Sequence, residues 1–278
     1  MFKKLWSYLS RLYRIISKPV MSILPRQLAF SFVLTMIPLL ALLTMIASSF
    51  SIPLTSITSF INDNFPTAVG NLLLPLLNGK CFDLSMLIFL FTAFWLASGG
   101  AVSIITASDV IYNIEPQKFI PKRIKAFIMT IVLIMLIMFM FIVPVFGDLI
   151  FKFITSLSFY ENFSIELLIL YYLLKYPLSF FLIYFCLKLI YTIALNKNVK
   201  SKSVTSGSIF TTITWMLITQ FYSWWVSNVM DYNLYYGSIS SILILLLWMY
   251  FLAYAFTVGL VMNAEATGVV EELNEKNK

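Results

Sequence analysis

The sequence predicts an all-α integral membrane protein, a six-transmembrane-helix bundle with short interfacial helices in its external loops. Of its 278 residues, 60% are hydrophobic and 11% are charged, whereas soluble domains carry roughly 25% charged residues. Mean hydropathy is +0.91, and apolar runs are long enough to cross the roughly 30 Å hydrocarbon core of a bilayer. Because runs such as 131–140 lack the polar–apolar alternation of barrel strands, helices are the predicted spanning elements.

Six apolar stretches are predicted to form the helices of a membrane domain over 27–264. Proline and glycine interrupt 51–83, and charged residues are mixed with apolar ones in 147–174, so both segments are predicted to be external and interfacial. Helix four is placed after Lys175, because an ammonium deep in the bilayer costs about 2.5 to 3.5 kcal/mol. This choice puts Pro177 in the first helical turn. The predicted helices cover about 28–50, 84–111, 126–146, 176–195, 207–230 and 239–262.

The two ends of the chain are predicted to lie outside the membrane domain. Residues 1–26 form a cytoplasmic basic amphipathic segment, suited to lie on an anionic membrane surface. A signal peptide is the alternative, but the apolar stretch 28–50 is too long for a typical cleaved signal and long enough to span. Residues 265–278 form a cytoplasmic acidic tail. The apolar positions of the N-terminal segment are Leu5, Leu9, Leu12 and Ile16.

Lysine and arginine are distributed unequally between the two sides of the predicted bundle. The N-terminal segment holds six, the loop after helix two holds four and residues 197–202 hold three, all on one side. The other side has only Lys80, Lys152 and the rim residue Lys175. The positive-inside rule therefore places both termini in the cytoplasm. We interpret the net charge of +7 as a topology signal, so the expected partners are membrane lipids and not nucleic acid.

The sequence offers few residues suited to catalysis. It contains no histidine, and its two cysteines, Cys81 and Cys186, are far apart along the chain. Hydrolytic zinc sites use His, Cys and carboxylates at close spacing, and acid–base catalysis most often uses histidine. The sequence also lacks a glycine-rich phosphate-binding loop. We therefore expect no enzymatic activity, no catalytic residue, no bound metal and no cofactor.

Charged residues near the predicted cytoplasmic ends of the helices are the candidates for a functional cavity. Lys188 lies close to the inner end of helix four, where it either snorkels to the interface or lines a cavity open to the cytoplasm. Asp109 ends helix two and Glu265 ends helix six. If the helices converge, Lys188 would form an intramembrane ion pair with one of these acids, as in transport paths. The candidate cavity residues are Asp109, Tyr112, Lys188, Tyr191, Asn263 and Glu265.

Small residues recur on helices two and six at spacings that let helices approach closely. Helix packing is the first interpretation, and a flexible point at Gly99-Gly100 is the second. Helix five carries a row of hydroxyl side chains, which indicates either interhelical hydrogen bonds or a wet pathway. The candidate packing residues are Ala93, Ala97, Gly99, Gly100, Ala101 and Gly259.

Several motifs resemble those of the YihY/BrkB family of bacterial inner-membrane proteins. The chain departs from the family pattern at Gly99-Gly100, where a basic residue is common, and before Asn196, where a proline is frequent. The matching motifs are Tyr236-Gly237-Ser238, Leu246 to Tyr250, Gly259 to Glu265, Leu28-Ala29-Phe30 with Thr35 and Pro38, Lys175-Tyr176-Pro177, and Asp109 with Tyr112.

The resemblance implies six transmembrane helices and a multi-pass location in the bacterial plasma membrane. It implies little chemistry, because the family has no settled activity and its older ribonuclease label is mistaken. The residues themselves favour a transporter or lipid translocator of unknown substrate. The alternative is a non-transporting scaffold for envelope or lipid-synthesis enzymes, working as a homo-oligomer or with an envelope protein partner.

Overall fold

The computed structural model describes residues 10, 13–49, 84–135, 160–195, 202–228 and 240–267. Within these ranges the regular secondary structure is entirely helical, so the predicted all-α class is confirmed for the described part of the chain. The long helices are α1 (Val20–Ser49), α2 (Leu84–Ile111), α3 (119–135), α4 (Tyr160–Ala194), α5 (Thr205–Asn228) and α6 (Ser240–Ala266).

Helix α6 is the central element of the described packing. It contacts α1 and α5 extensively and α2 less so, while α1 also packs along α2 and α4 packs against α5. The core joining these helices includes Leu28 of α1, Ile105 of α2, Leu187 of α4 and Phe256 of α6, all almost completely buried. A helix surrounded on several sides needs apolar residues on every face, which is the pattern that α6 has.

Three helical stretches are long and apolar enough to cross a membrane: Leu90–Ile111, Pro177–Ala194 and Leu243–Ala266. Val20–Met36 of α1 is apolar but shorter. At a rise of 1.5 Å per residue, about 20 helical residues match the hydrocarbon thickness of a bilayer. Large apolar side chains such as Phe91 also point outward from the bundle. The fold is that of a helical membrane protein, and the count of six spans stays a prediction.

Three helices lie close to where the sequence predicts them. Helix α2 has the bounds predicted for helix two, and α5 and α6 differ from their predicted bounds by a few residues at each end. Helix α3 begins before the predicted position, and its predicted C-terminal part, 136–146, lies outside the described residues. The predicted external segment 51–83 lies outside them as well.

Two helices begin earlier than predicted, and both contain proline in their interior. Helix α1 begins at Val20, inside the predicted N-terminal segment, and continues through Pro25. Helix α4 begins at Tyr160 and not at Tyr176, so Pro177 lies inside it and part of the predicted external segment is helical. A proline removes one backbone hydrogen bond, but in apolar surroundings ending the helix would expose many more backbone groups.

The N-terminal segment contacts the bundle through an isoleucine that the amphipathic pattern did not select. Ile15 is fully buried in a small cluster with Val258, Val261 and Met262 of α6, whereas Ile16, which the amphipathic pattern assigns to the membrane-facing side, is exposed. Residues 13–16 form a short helical turn before α1. The described part of this segment therefore packs against the end of α6.

Small residues of α2 lie where α1 approaches it. Helix α2 continues without interruption through Gly99-Gly100. A Cβ atom built on Gly100 would lie 2.7 Å from Thr35 Oγ1, and one built on Gly99 would lie 3.5 Å from Thr35 Cγ2. Nearby, Ser103 Oγ donates a hydrogen bond to Ser31 Oγ at 2.7 Å. The predicted packing alanines Ala93, Ala97 and Ala101 are also buried.

Candidate functional site at the Glu265 end of the bundle

One end of the bundle gathers the C-terminal ends of α2, α4 and α6 and the N-terminal ends of α1, α3 and α5. Contacts between residues distant in sequence define it: Lys18 pairs with Glu265, Lys125 reaches the last carbonyls of α4, and Asn263 binds the start of α5. We call this region the Glu265 end. Five of the six predicted cavity residues lie here, at or within about one turn of a helix end, and Lys188 lies farther along α4.

The end of α2 is fixed by a left-handed residue. Asn113 has φ of 47°, a conformation that asparagine tolerates better than most residues. The amide of Ile114 then donates to the carbonyl of Asp109 at 2.9 Å, which closes the helix as a Schellman-type cap does. This turn holds Asp109 and Tyr112 at the Glu265 end, with the Tyr112 ring almost completely buried.

Each of the two predicted acids forms an ion pair, but not with the predicted lysine. Glu265 Oε1 lies 2.9 Å from Lys18 Nζ, and Asp109 Oδ2 lies 3.7 Å from Lys122 Nζ. Of the two interpretations of Lys188, the ion pair with Asp109 or Glu265 does not occur among the described contacts. The two partner lysines come from the segment just before α1 and from the start of α3, which lie against the ends of α6 and α2.

Lys188 lies on α4 against a neighbouring aromatic ring. Its Nζ is 5.6 Å from the centre of the Tyr184 ring, one helical turn earlier on the same face. The side chain is partly exposed. This geometry is that of a cation–π contact on the surface of the helix, and it separates Lys188 from the ion pairs described above.

Lys125 ties α3 to the end of α4. Its Nζ donates to the carbonyls of Ala194 at 3.0 Å and Leu195 at 2.7 Å, which have no partner within their own helix. A cation at a helix C-terminus also interacts favourably with the helix dipole. Burial lowers the pKa of the Lys125 ammonium, and the negative charge of Asp109 opposes this shift. Lys125 thus places a positive charge close to Asp109.

Tyr191 connects α4 to both α5 and α6. Its hydroxyl donates to the carbonyl of Phe256 at 2.8 Å and shares a hydrogen bond with Thr211 Oγ1 at 2.8 Å. The Tyr191 and Phe256 rings stack, with centroids 4.6 Å apart. The hydrogen-bonding capacity of the Tyr191 hydroxyl is therefore used within the protein.

The start of α5 crosses the end of α6 at two glycines. The Gly207 amide, which has no partner inside its own helix, donates to Asn263 Oδ1 at 2.7 Å. A Cβ atom on Gly207 would collide with the Gly259 carbonyl oxygen, and one on Gly259 would collide with Thr211 Oγ1. The predicted packing residue Gly259 therefore lies at a helix crossing where the backbones come together.

Among the described residues, three buried donor atoms at this end have no hydrogen-bond partner: Ser108 Oγ, Tyr112 Oη and Asn263 Nδ2. Burial raises the pKa of the Tyr112 phenol well above its ordinary value, so this hydroxyl stays protonated and can donate. An unpaired buried donor costs about 1–3 kcal/mol, and such groups normally indicate a bound water, an ion or a functional role. Each of these atoms can donate a hydrogen bond to an oxygen acceptor.

The described residues do not support a metal centre, since none of their His, Cys, Asp and Glu side chains form a group of three that could hold a metal ion.

The predictions missed Lys18, Lys122, Lys125 and Gly207 as members of this end. Helix parity could have identified the three lysines, because it places the start of α1 and α3 beside the ends of α2 and α6. Only the structure reveals the Gly207 crossing.

Apolar helices around a buried core, with charged and polar side chains gathered at one end, define this chain as a helical integral membrane protein. Over residues 21–278 it matches the family described as Virulence factor BrkB. The chain belongs to that family, which confirms the resemblance of its motifs.

Two curated proteins are similar to this chain in sequence. The chain is 25% identical over 246 residues to "Putative ribonuclease-like protein YfkH" of Bacillus subtilis (strain 168), an alignment that covers 86% of this chain and 87% of that protein. It is 31% identical over 97 residues, or 35% of each chain, to "UPF0761 membrane protein NTHI0384" of Haemophilus influenzae (strain 86-028NP). No solved structure matches the chain.

Proposed function

We propose that this chain is a transporter or lipid translocator of the bacterial plasma membrane, with six transmembrane helices and both termini in the cytoplasm. The Glu265 end is then the cytoplasmic end, since it carries the basic segments before α1 and α3. The observation that carries the proposal is the set of three unpartnered buried atoms, Ser108 Oγ, Tyr112 Oη and Asn263 Nδ2.

These three unpartnered donors are a cost to a bundle that only packs, unless bound water satisfies them. Replacing an unpaired buried polar group by an apolar group of the same shape removes a cost of about 1–3 kcal/mol. Their presence is therefore explained if a polar solute occupies this end during transport and pairs with them. The ion pairs Lys18–Glu265 and Lys122–Asp109 surround the site with charges that can exchange partners with a passing headgroup or ion.

Transport activity is tested with the purified full-length protein in liposomes. Outward movement of a fluorescent phospholipid is followed by dithionite quenching, and ion movement is followed with an entrapped dye. The wild type should accelerate one of these processes over protein-free liposomes. Tyr112→Phe should slow it several-fold, because it removes a donor that contacts only the solute.

The matched control is Thr257→Val on α6. Thr257 Oγ1 is equally buried, but it donates to the Ala253 carbonyl of its own helix at 2.8 Å, so its removal should leave the transport rate unchanged. Tyr112→Phe should not reduce thermal stability, because its hydroxyl has no protein partner to lose. Wild-type rates in Tyr112→Phe, or equal losses in both variants, would contradict the site assignment.

The scaffold alternative is supported by an apolar stripe on α3. Ile120, Ile124, Ile128 and Met135 are exposed at helical spacing, a surface that a partner helix could cover as well as lipid. Crosslinking in cells separates the two functions. A stoichiometric partner captured at α3, together with no transport by the reconstituted protein, favours the scaffold.

The name of the Bacillus relative raises a third function, RNA cleavage. This chain has no histidine, and histidine is the usual acid–base group in such chemistry. We expect no cleavage when metal-replete purified protein is incubated with RNA. Cleavage that follows the protein through size-exclusion chromatography would overturn this expectation.

A further inference from the structure

Hydrogen bonds join α4, α5 and α6 over the length of α5. The Gly207 amide donates to Asn263 Oδ1 near the start of α5. Farther along α5, Trp215 Nε1 and the Tyr222 hydroxyl donate to α6 carbonyls at 2.9 Å and 2.6 Å. Tyr191 of α4 bonds to both helices. Because water does not compete for such bonds in apolar surroundings, they keep the three helices in register. We call α4, α5 and α6 the C-terminal half.

Polar and aromatic contacts also join α1, α2 and α3 to one another. Ser103 Oγ of α2 donates to Ser31 Oγ of α1 at 2.7 Å. Arg123 Nη2 of α3 donates to the Trp95 carbonyl of α2 at 2.6 Å. The Phe127 ring of α3 lies edge-on to the Trp95 ring, with centroids 5.6 Å apart. We call these three helices, with the segment just before α1, the N-terminal half.

The boundary between the two halves is apolar within the bundle. Leu28 of α1 and Ile105 of α2 belong to one buried cluster with Leu187 of α4 and Phe256 of α6. The Phe32 ring of α1 meets the Phe256 ring edge to face, with centroids 6.3 Å apart. Apolar contacts require no particular direction, so packed helices can slide or rotate against one another without breaking hydrogen bonds. Packing alone holds the halves together in this region.

Between the described residues of the two halves, hydrogen bonds and ion pairs occur only at the Glu265 end. Lys18 of the N-terminal half pairs with Glu265 at 2.9 Å. Lys125 of the same half donates to the Ala194 and Leu195 carbonyls at the end of α4. We call these two contacts the lysine latch. The Lys18 and Glu265 side chains are 29% and 18% exposed, so water can replace each partner at little cost.

The unpartnered donors of the Glu265 end belong to both halves. Ser108 and Tyr112 lie at the end of α2 in the N-terminal half, and Asn263 lies on α6 in the C-terminal half. All three donor atoms are buried, so a solute can reach them only after the protein opens at this end. The boundary between the halves is the surface along which the helices can part without breaking the hydrogen bonds inside either half.

We propose that the two halves move as rigid bodies and that the lysine latch is the gate that closes the Glu265 end. When the latch is released, the halves rotate apart about their opposite end. A rotation of about 15° would displace the ends of helices about 30 Å long by about 8 Å. The role of this gate in transport rests on the proposed function, but the movement itself is measured without a substrate.

The movement is measured with pairs of spin labels on the full-length protein in proteoliposomes, with Cys81 and Cys186 replaced by serine. One pair spans the boundary, from Ile120→Cys on α3 to Ser206→Cys on α5, both exposed at the Glu265 end. The other pair lies within the C-terminal half, from Ser206→Cys to Leu243→Cys at the exposed start of α6. Double electron–electron resonance gives the distance distribution of each pair.

The latch is released by combining Lys18→Met with Lys125→Met. The boundary pair should then gain a distance that is longer by about 8 Å, whereas the pair within the C-terminal half should keep its wild-type distance. If the double variant does not fold, Glu265→Gln is measured in its place. It should show the longer distance in a smaller share of molecules, because Lys125 still holds the end of α4.

The matched control is Lys122→Met, which removes an equal charge from an ion pair inside the N-terminal half and should leave the boundary distance unchanged. An unchanged boundary distance in the latch variants overturns the proposal, as does an equal change in Lys122→Met. If both label pairs change together, the halves are not rigid bodies and the proposal also fails. Transport without this movement would overturn the gate alone, whereas movement without transport would support the moving halves and contradict the proposed function.

Discussion

Replacing Gly207 with alanine tests the closest helix contact at the Glu265 end. The new Cβ atom would collide with the Gly259 carbonyl oxygen and Asn263 Oδ1, so α5 and α6 would have to separate. Overpacking costs about 1–3 kcal/mol, and weakening the Gly207–Asn263 hydrogen bond costs about 1 kcal/mol more. Alanine regains about 1 kcal/mol through its higher helix propensity. The expected net destabilisation is about 1–3 kcal/mol.

The assay is thermal unfolding of the purified protein in detergent, followed by loss of the monodisperse size-exclusion peak. Each kcal/mol should lower the apparent Tm by about 2–4 °C. Gly99→Ala is the matched control, because its Cβ would meet Thr35 Cγ2 at an ordinary 3.5 Å, and its Tm should be unchanged or raised. If Gly207→Ala is as stable as Gly99→Ala, the described crossing of α5 and α6 is wrong.

Three further contacts at this end have measurable consequences. Tyr191→Phe loses its hydrogen bonds with Thr211 and an α6 carbonyl, so its free energy of unfolding should fall by about 1–2 kcal/mol; an unchanged Tm would contradict this contact. A double-mutant cycle of Lys18→Ala and Glu265→Ala should give a coupling of about 0.2–1 kcal/mol that declines with added salt, whereas zero coupling at low salt would exclude the pair. Lys125→Met leaves two α4 carbonyls without their donor and should cost about 1–3 kcal/mol, and Lys125→Arg should restore part of this loss.

The helical fold could be predicted from the sequence because the property that decides it, the hydropathy of a continuous run of residues, is read directly along the chain. Length and hydropathy of an apolar run decide whether it can cross a bilayer, and this was enough to give the bounds of α2. The starts of α1 and α4 were wrong because the first was set where the basic N-terminal segment gives way to the apolar run, and the second was set by the cost of placing the Lys175 ammonium in the bilayer. The balance between one lost hydrogen bond and many exposed backbone groups depends on surroundings that a local pattern does not contain.

The sequence predicted which acids lie at the Glu265 end better than it predicted which lysines pair with them. Asp109 and Glu265 lie at the same end of the bundle, as helix parity requires, but their partners are Lys122 and Lys18. Lys188 was considered as a partner only if the helices converge, beside the interpretation that it snorkels to the interface. Which lysine reaches an acid depends on how the segment before α1 and the start of α3 pack against the helix ends, and this is a tertiary property that spacing along one helix does not encode.

The central claim is that the unpartnered donors at the Glu265 end serve a path and not only a packed core, and thiol accessibility tests it most directly. Asn263 and Ala253 are both fully buried on α6, but only Asn263 has an unpartnered polar atom. With Cys81 and Cys186 replaced by serine, the variants Asn263→Cys and Ala253→Cys are exposed in proteoliposomes to a small charged thiol reagent. The account predicts labelling of Asn263→Cys and not of Ala253→Cys. No labelling of either variant, or equal labelling of both, would contradict it.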